Sequence, residues 1–133
     1  MLTKKQINSL NKIFKAYPKI KLVYLFGSRA NAKIGPLSDY DFAVYLDEKD
    51  KNKRGELKME LIGRIMMILK TNEIDLCILN DIDSPEFKYR IINEGILIFE
   101  REPFKLLVEP YILNEFFDFR YSLKKYKLTK AYE

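Results

Sequence analysis

The chain has 133 residues, enough for one domain with a real core, and its 47% hydrophobic and 32% charged content is that of an ordinary soluble protein. A net charge of +5 suits an anionic ligand or an acidic partner and is too small to argue for nucleic acid. With one cysteine and no histidine, an internal disulfide is excluded, and so is imidazole as base or metal ligand. Catalysis here must use carboxylates, lysines, tyrosines, hydroxyls or a bound hard cation. No segment approaches the ~18 apolar residues of a membrane span, and no apolar stretch follows the N-terminal lysines as in a signal peptide. A cytoplasmic setting is expected.

Thr3-Lys4-Lys5-Gln6 has capping-box spacing, and Ile7, Leu10, Ile13 and Phe14 recur at helical intervals, which predicts a helix over 3–16 ended by Tyr17-Pro18. Ile20 to Phe26 is β-branched and aromatic, a strand running into Gly27. Ser28 to Ala32 could form one or two helical turns with Ser28 as N-cap, and residues 33–38 form a loop marked by Gly35-Pro36. Asp39 to Leu46 is a second strand with two aspartates at its entrance. Residues 47–54 are a charged connection, and Gly55 to Leu69 is an amphipathic helix. Ile74 to Leu79 is a third strand. It carries Asp75, and also Cys77, read as a buried, inert thiol. Ser84-Pro85 opens a helix that stops at Asn93-Glu94-Gly95, Ile96 to Phe99 is a fourth short strand, and a last helix covers 109–126.

Alternating strands and helices predict an α/β (α+β) fold: a small sheet of about four strands flanked by helices, with a C-terminal helix. The first two strands are too close in sequence for a crossover helix, so the sheet is expected to be mixed. The chain reads as a single domain, 1–133, with a core over 1–100 and a C-terminal helical extension over 101–133.

Asp39 and Asp41 lie two apart on a strand, so both carboxylates share one face about 6–7 Å apart. A hard divalent cation relieves their repulsion. Two solvated aspartates at a strand end is the plain alternative. Upstream, Gly27 permits close approach of a phosphate, while Ser28 and the free N–H groups of a helix start supply donors. Asp75 interrupts an otherwise apolar strand. An unpaired buried carboxylate there would be costly, unless its strand lies beside Asp39 and Asp41 and faces the same ion. A solvent-facing residue on an edge strand is the alternative.

Leu25-Phe26-Gly27-Ser28-Arg29-Ala30, followed by Ser38-Asp39-Tyr40-Asp41-Phe42-Ala43-Val44, resembles the Gly-Ser…Asp-x-Asp signature of the DNA polymerase β-like nucleotidyltransferase superfamily. The small size is similar to its minimal MNT branch, and Phe117-Asp118-Phe119-Arg120 looks like a segment seen near the end of such proteins. Relatives often carry a second basic residue and a glycine after the Gly-Ser-Arg, where this chain has Asn31 and Ala32, then Lys33. The resemblance implies a nucleotidyltransferase fold and transfer of AMP from ATP. It implies Asp39, Asp41 and Asp75 as catalytic residues and as ligands of two Mg²⁺ ions, with Gly27, Ser28 and Arg29 binding the nucleotide. Many relatives are antitoxins paired with a HEPN-domain toxin, so the implied acceptor is a tyrosine of a HEPN ribonuclease. Neutralisation by binding alone, and a stand-alone transferase acting on a small molecule or RNA, are the alternatives. Tyr111, Ile112, Leu113, Phe116, Phe117, Phe119, Tyr121 and Leu123 form a broad apolar surface on the last helix. It can close the domain's own core, dock a partner, or do both on different faces.

Overall fold

A computed structural model describes residues 2–27 and 40–126. The expected turns at Ser28–Ala32 and the Gly35-Pro36 loop lie outside the described residues. The elements run α1 (Lys4–Ala16), β1 (Ile20–Phe26), β2 (Tyr40–Leu46), α2 (Lys51–Leu69), β3 (Ile74–Ile78), a 3-10 turn (Leu79–Asp81), α3 (Pro85–Glu94), β4 (Ile96–Glu100) and α4 (Phe104–Lys125). The four strands form one mixed sheet in the order β3-β2-β1-β4, in which β2 is antiparallel to β1 and parallel to β3, and β4 is antiparallel to β1.

The local signals at helix ends act as read. Thr3 closes a full capping box with Gln6, through bonds of 3.1 and 2.9 Å. Ser84 accepts from the Phe87 N–H at 3.1 Å, with Pro85 at the first helical position. Other boundaries differ. α2 starts at Lys51 rather than Gly55, because Asp50 caps it by accepting from the N–H groups of Asn52 and Lys53. Arg54 then ties that first turn down, donating to the Glu48 and Lys49 carbonyls and pairing with Asp81 at 2.6 Å. The first turn is polar on every side, so hydrophobic spacing could not reveal it. β3 ends at Ile78, one residue early, as Leu79 enters the 3-10 turn. Asn80 then pairs both ways with the Leu46 backbone, at 3.0 and 2.8 Å, where a further strand residue would have stood. α4 starts at Phe104 rather than Glu109 and carries Pro110 inside it. A mid-helix proline costs about 3 kcal/mol in isolation, and here packing of Val108 and Ile112 on either side of it offsets that cost.

Both faces of the sheet are covered. Leu10 and Phe14 of α1 and Leu61 and Ile65 of α2 pack on Val23, Leu25, Phe42, Val44 and Leu76. On the other face, Ile91 of α3 and Val108 and Ile112 of α4 pack on Leu22, Tyr24 and Ala43. β1 is thus buried on both sides, which is why its sequence reads as a nearly continuous apolar run. Arg101 locks the first layer to the sheet. It donates to the carbonyls of Ile20 (2.9 Å), Phe14 (3.2 Å) and Lys15 (3.0 Å), closing the C-terminal end of α1. Tyr24 locks the second layer, its hydroxyl donating to Glu109 of α4 at 2.5 Å.

Candidate active site at one end of the sheet

The topology decides which residues meet. Because β1 is antiparallel to β2 while β2 and β3 are parallel, the end of β1 and the starts of β2 and β3 share one edge of the sheet. Along that edge Phe26 is the register partner of Asp41, and Asp41 is the register partner of Asp75. Neighbouring strands lie about 4.8 Å apart and register partners point to the same side, so the two carboxylates face one patch of space. That side is the α3–α4 face: Asp41 alternates with Ala43 and Asp75 with Cys77, whose side chains join the second core. The Tyr40 N–H bonds the Glu73 carbonyl at 2.9 Å, carrying the β2–β3 ladder past both acids.

Gly27 completes the arrangement. It has φ +76°, a left-handed conformation that suits glycine, and a Cβ placed on it would collide with Asp41 Oδ2 and lie 3.3 Å from its Cγ. Glycine is therefore required twice over, by backbone conformation and by the approach of the Asp41 carboxylate. At Gly27 the backbone just past β1 passes against this carboxylate.

Of the expected site residues, the structure brings Gly27, Asp41 and Asp75 together. Ser28, Arg29 and Asp39 lie outside the described residues. Asp39 stands two positions before Asp41. One premise is corrected: Asp75 is exposed rather than buried, because β3 is an edge strand. Its place in the site rests on its register with Asp41. Asp41 is half-buried.

Burial pushes the Cys77 thiol up to about 11, helped by the negative charge of Asp75 and, less, of Asp41, and opposed by Lys58. At physiological pH this favours the thiol over the reactive thiolate, in keeping with an inert cysteine, although the side chain is half-buried rather than fully buried as expected. The sequence reading missed the ring of Phe87, from the first turn of α3, set edge-on to Phe26 at 5.8 Å beside Asp41. The only sequence signal was an apolar residue three after the Ser84 cap. A separate groove of about 470 Å³ lies by Tyr45, Leu79, Lys88, Phe104, Leu107 and Tyr111. Tyr45 is four residues along β2 from Asp41, about 13 Å away, so this groove does not belong to the acidic edge.

A mixed four-stranded sheet with helices on both faces, acids paired across two strand starts and a glycine turn against one of them, defines a nucleotidyltransferase fold. The chain belongs to the polymerase beta nucleotidyltransferase family, whose model matches residues 8–104. No curated protein sequence matches it significantly. Among solved structures it resembles a toxin–antitoxin with AMP-PNP (20% identity, TM-score 0.73, 98% of this chain and 99% of that one). It also resembles a toxin–antitoxin MntA–HepT structure (18%, 0.70, 97% and 99%). A third resemblance is to a tri-AMPylated Shewanella oneidensis HEPN toxin in complex with MNT antitoxin (22%, 0.66, 95% and 98%). At these identities the likeness establishes the fold.

Proposed function

We propose that this chain transfers AMP from ATP to a tyrosine hydroxyl of a cognate HEPN-type ribonuclease in the cytoplasm, and so serves as the antitoxin of a toxin–antitoxin pair. The observation that carries the reading is the in-register pair Asp41 and Asp75 with Gly27 pressed against the first of them. Family membership supports the chemistry. Full-length likeness to proteins described with AMP-PNP and with an AMPylated HEPN toxin supports the substrate and the partner.

The donor set fits a hard cation: carboxylates from adjacent strands on one face, with Asp39 two residues before Asp41. Mg²⁺ held by Asp39, Asp41 and Asp75 would polarise the phosphoryl oxygens and offset charge on the attacking and leaving oxygens. The protein's own part is positional. The backbone at Gly27 and Ser28 holds the β- and γ-phosphates, with Arg29 adding charge. Asp75, exposed at the sheet edge, meets an acceptor arriving from solvent and takes its hydroxyl proton. The acceptor oxygen bonds to the α-phosphorus, the bond to the β-phosphate breaks, and pyrophosphate leaves. Exposure of Asp75 suits an acceptor carried on another macromolecule.

The test is co-expression with the HEPN-domain protein of the same genome, followed by intact mass of that partner. The partner should gain mass in multiples of one AMP, and Asp39→Asn/Asp41→Asn should remove the gain. A partner neutralised without any gain would leave binding alone as the mode of action. AMP appearing on a small molecule or RNA instead would identify a stand-alone transferase.

A further inference from the structure

α4 is apolar on two faces, and the core uses only one. Phe104, Val108, Ile112, Phe119 and Leu123 point inward and are buried or half-buried. On the opposite side Leu106, Pro110, Leu113, Phe117 and Tyr121 follow one another at intervals of four, three, four and four residues. That is the spacing of a single stripe along one face of the helix, with Leu113 half-buried and the others exposed. Leu106 is 76% exposed, Phe117 58% and Tyr121 66%. Leu107 and Tyr111, 60% and 67% exposed, flank the seam and form the lip of the groove of about 470 Å³ beside Phe104 and Lys88. Of the described residues, five of the nine large apolar side chains left exposed are these five on α4. The three aromatics alone expose about 380 Å², from 58% to 67% of the roughly 200 Å² that each such side chain can bury. Adding the leucines takes the surface to the upper end of what an unpartnered monomer shows, about 300–600 Å².

We infer that this outer face of α4 is the docking surface for an amphipathic helix of the partner protein, apolar along its seam and acidic beside the C-terminal end of α4. A continuous apolar stripe along one helix is the surface that a second helix packs against, ridge into groove, whereas a strand would need an open sheet edge, which α4 does not offer. The seam runs from Leu106 to Tyr121, about 22 Å, long enough for four turns of a partner helix. Charge selects the acidic flank: among the described residues, Arg120, Lys124 and Lys125 are exposed around the end of the seam against Asp118 as the one exposed acid. The groove beside Leu107 and Tyr111 receives a bulky side chain from the same helix. α4 covers the sheet face toward which Asp41 and Asp75 point, so a partner seated on it stands on the side from which an acceptor must come. This inference rests on the proposed antitoxin reading and names the surface through which that reading would operate.

The test uses the full chain co-expressed with its HEPN-domain partner, comparing wild type with Leu106→Ser/Phe117→Ser/Tyr121→Ser. All three side chains are exposed, so the variant should keep its melting temperature and its affinity for ATP, checked by circular dichroism and calorimetry. Its affinity for the partner should fall at least 100-fold and partner labelling should fall with it. Lys124→Glu/Lys125→Glu should weaken binding in a salt-dependent way. Wild-type affinity in the triple variant overturns the inference and leaves the antitoxin reading standing. So does a dimer of the chain alone that the triple variant converts to monomer, because a second copy then occupies the seam. A wild-type chain that neither binds nor labels the partner overturns both.

Discussion

Gly27→Ala tests the architecture of the acidic edge, with Gly63→Ala as its control. At Gly27 two costs add. The backbone sits at φ +76°, where a non-glycine residue pays about 1–2 kcal/mol. The new methyl must also displace the half-buried Asp41 carboxylate, at about 1–2 kcal/mol for overpacking. The sum is about 3 kcal/mol, or a fall in Tm of about 10 °C for a domain of this size. Gly63 lies on the exposed side of α2 with nothing within 4 Å of an added Cβ. Alanine there should stabilise by about 0.5–1 kcal/mol through reduced backbone entropy. Thermal denaturation followed by circular dichroism reads both. AMP transfer should fall about 100-fold or more in Gly27→Ala, since displacement of a catalytic group by about 1 Å costs that much, and should be unchanged in Gly63→Ala. Equal melting temperatures for Gly27→Ala and wild type, with full transfer, would refute the close approach of the glycine backbone to Asp41.

Tyr24→Phe removes the buried hydroxyl that donates to Glu109, and should cost about 1–3 kcal/mol at pH 7 in urea denaturation. Burial, and then the Glu109 carboxylate, push the Tyr24 pKa up from 10, so its stabilising share is complete below pH 10 and is lost as pH rises above it. The variant should lose less stability than wild type when melts at pH 9 and pH 11 are compared. Arg101→Met deprives the carbonyls of Phe14, Lys15 and Ile20 of a shared cationic donor and should lower stability by about 2 kcal/mol, while ATP affinity by calorimetry stays unchanged. Asp75→Asn should reduce AMP transfer by about 100-fold or more, while Asp81→Asn, whose carboxylate pairs with Arg54 beyond the other end of β3, should not. Equal loss in the two variants would remove Asp75 from the chemistry.

Much of this protein is written locally. The capping box at Thr3, the Ser84-Pro85 helix start and the apolar run of β1 each depend on residues within a few positions of one another, and each formed where its pattern stood. The lack of histidine likewise removed imidazole as base or metal ligand before any fold was known. Boundaries failed where local pattern and tertiary contact disagree. The first turn of α2 is polar all round and is held by Arg54 reaching Asp81, twenty-seven residues away. α4 passes through Pro110 because Val108 and Ile112 are buried on either side of it. Asp75 shows the division most clearly. Its sequence marked it as an acid out of place in an apolar strand, and the reason first drawn from that, burial, does not hold. What joins it to Asp41 is the parallel register of β3 on β2, and its exposure follows from β3 being the edge. Composition and spacing could nominate Gly27, Asp41 and Asp75. Only strand order and register, set by the two cores that close on either face of the sheet, could place them side by side.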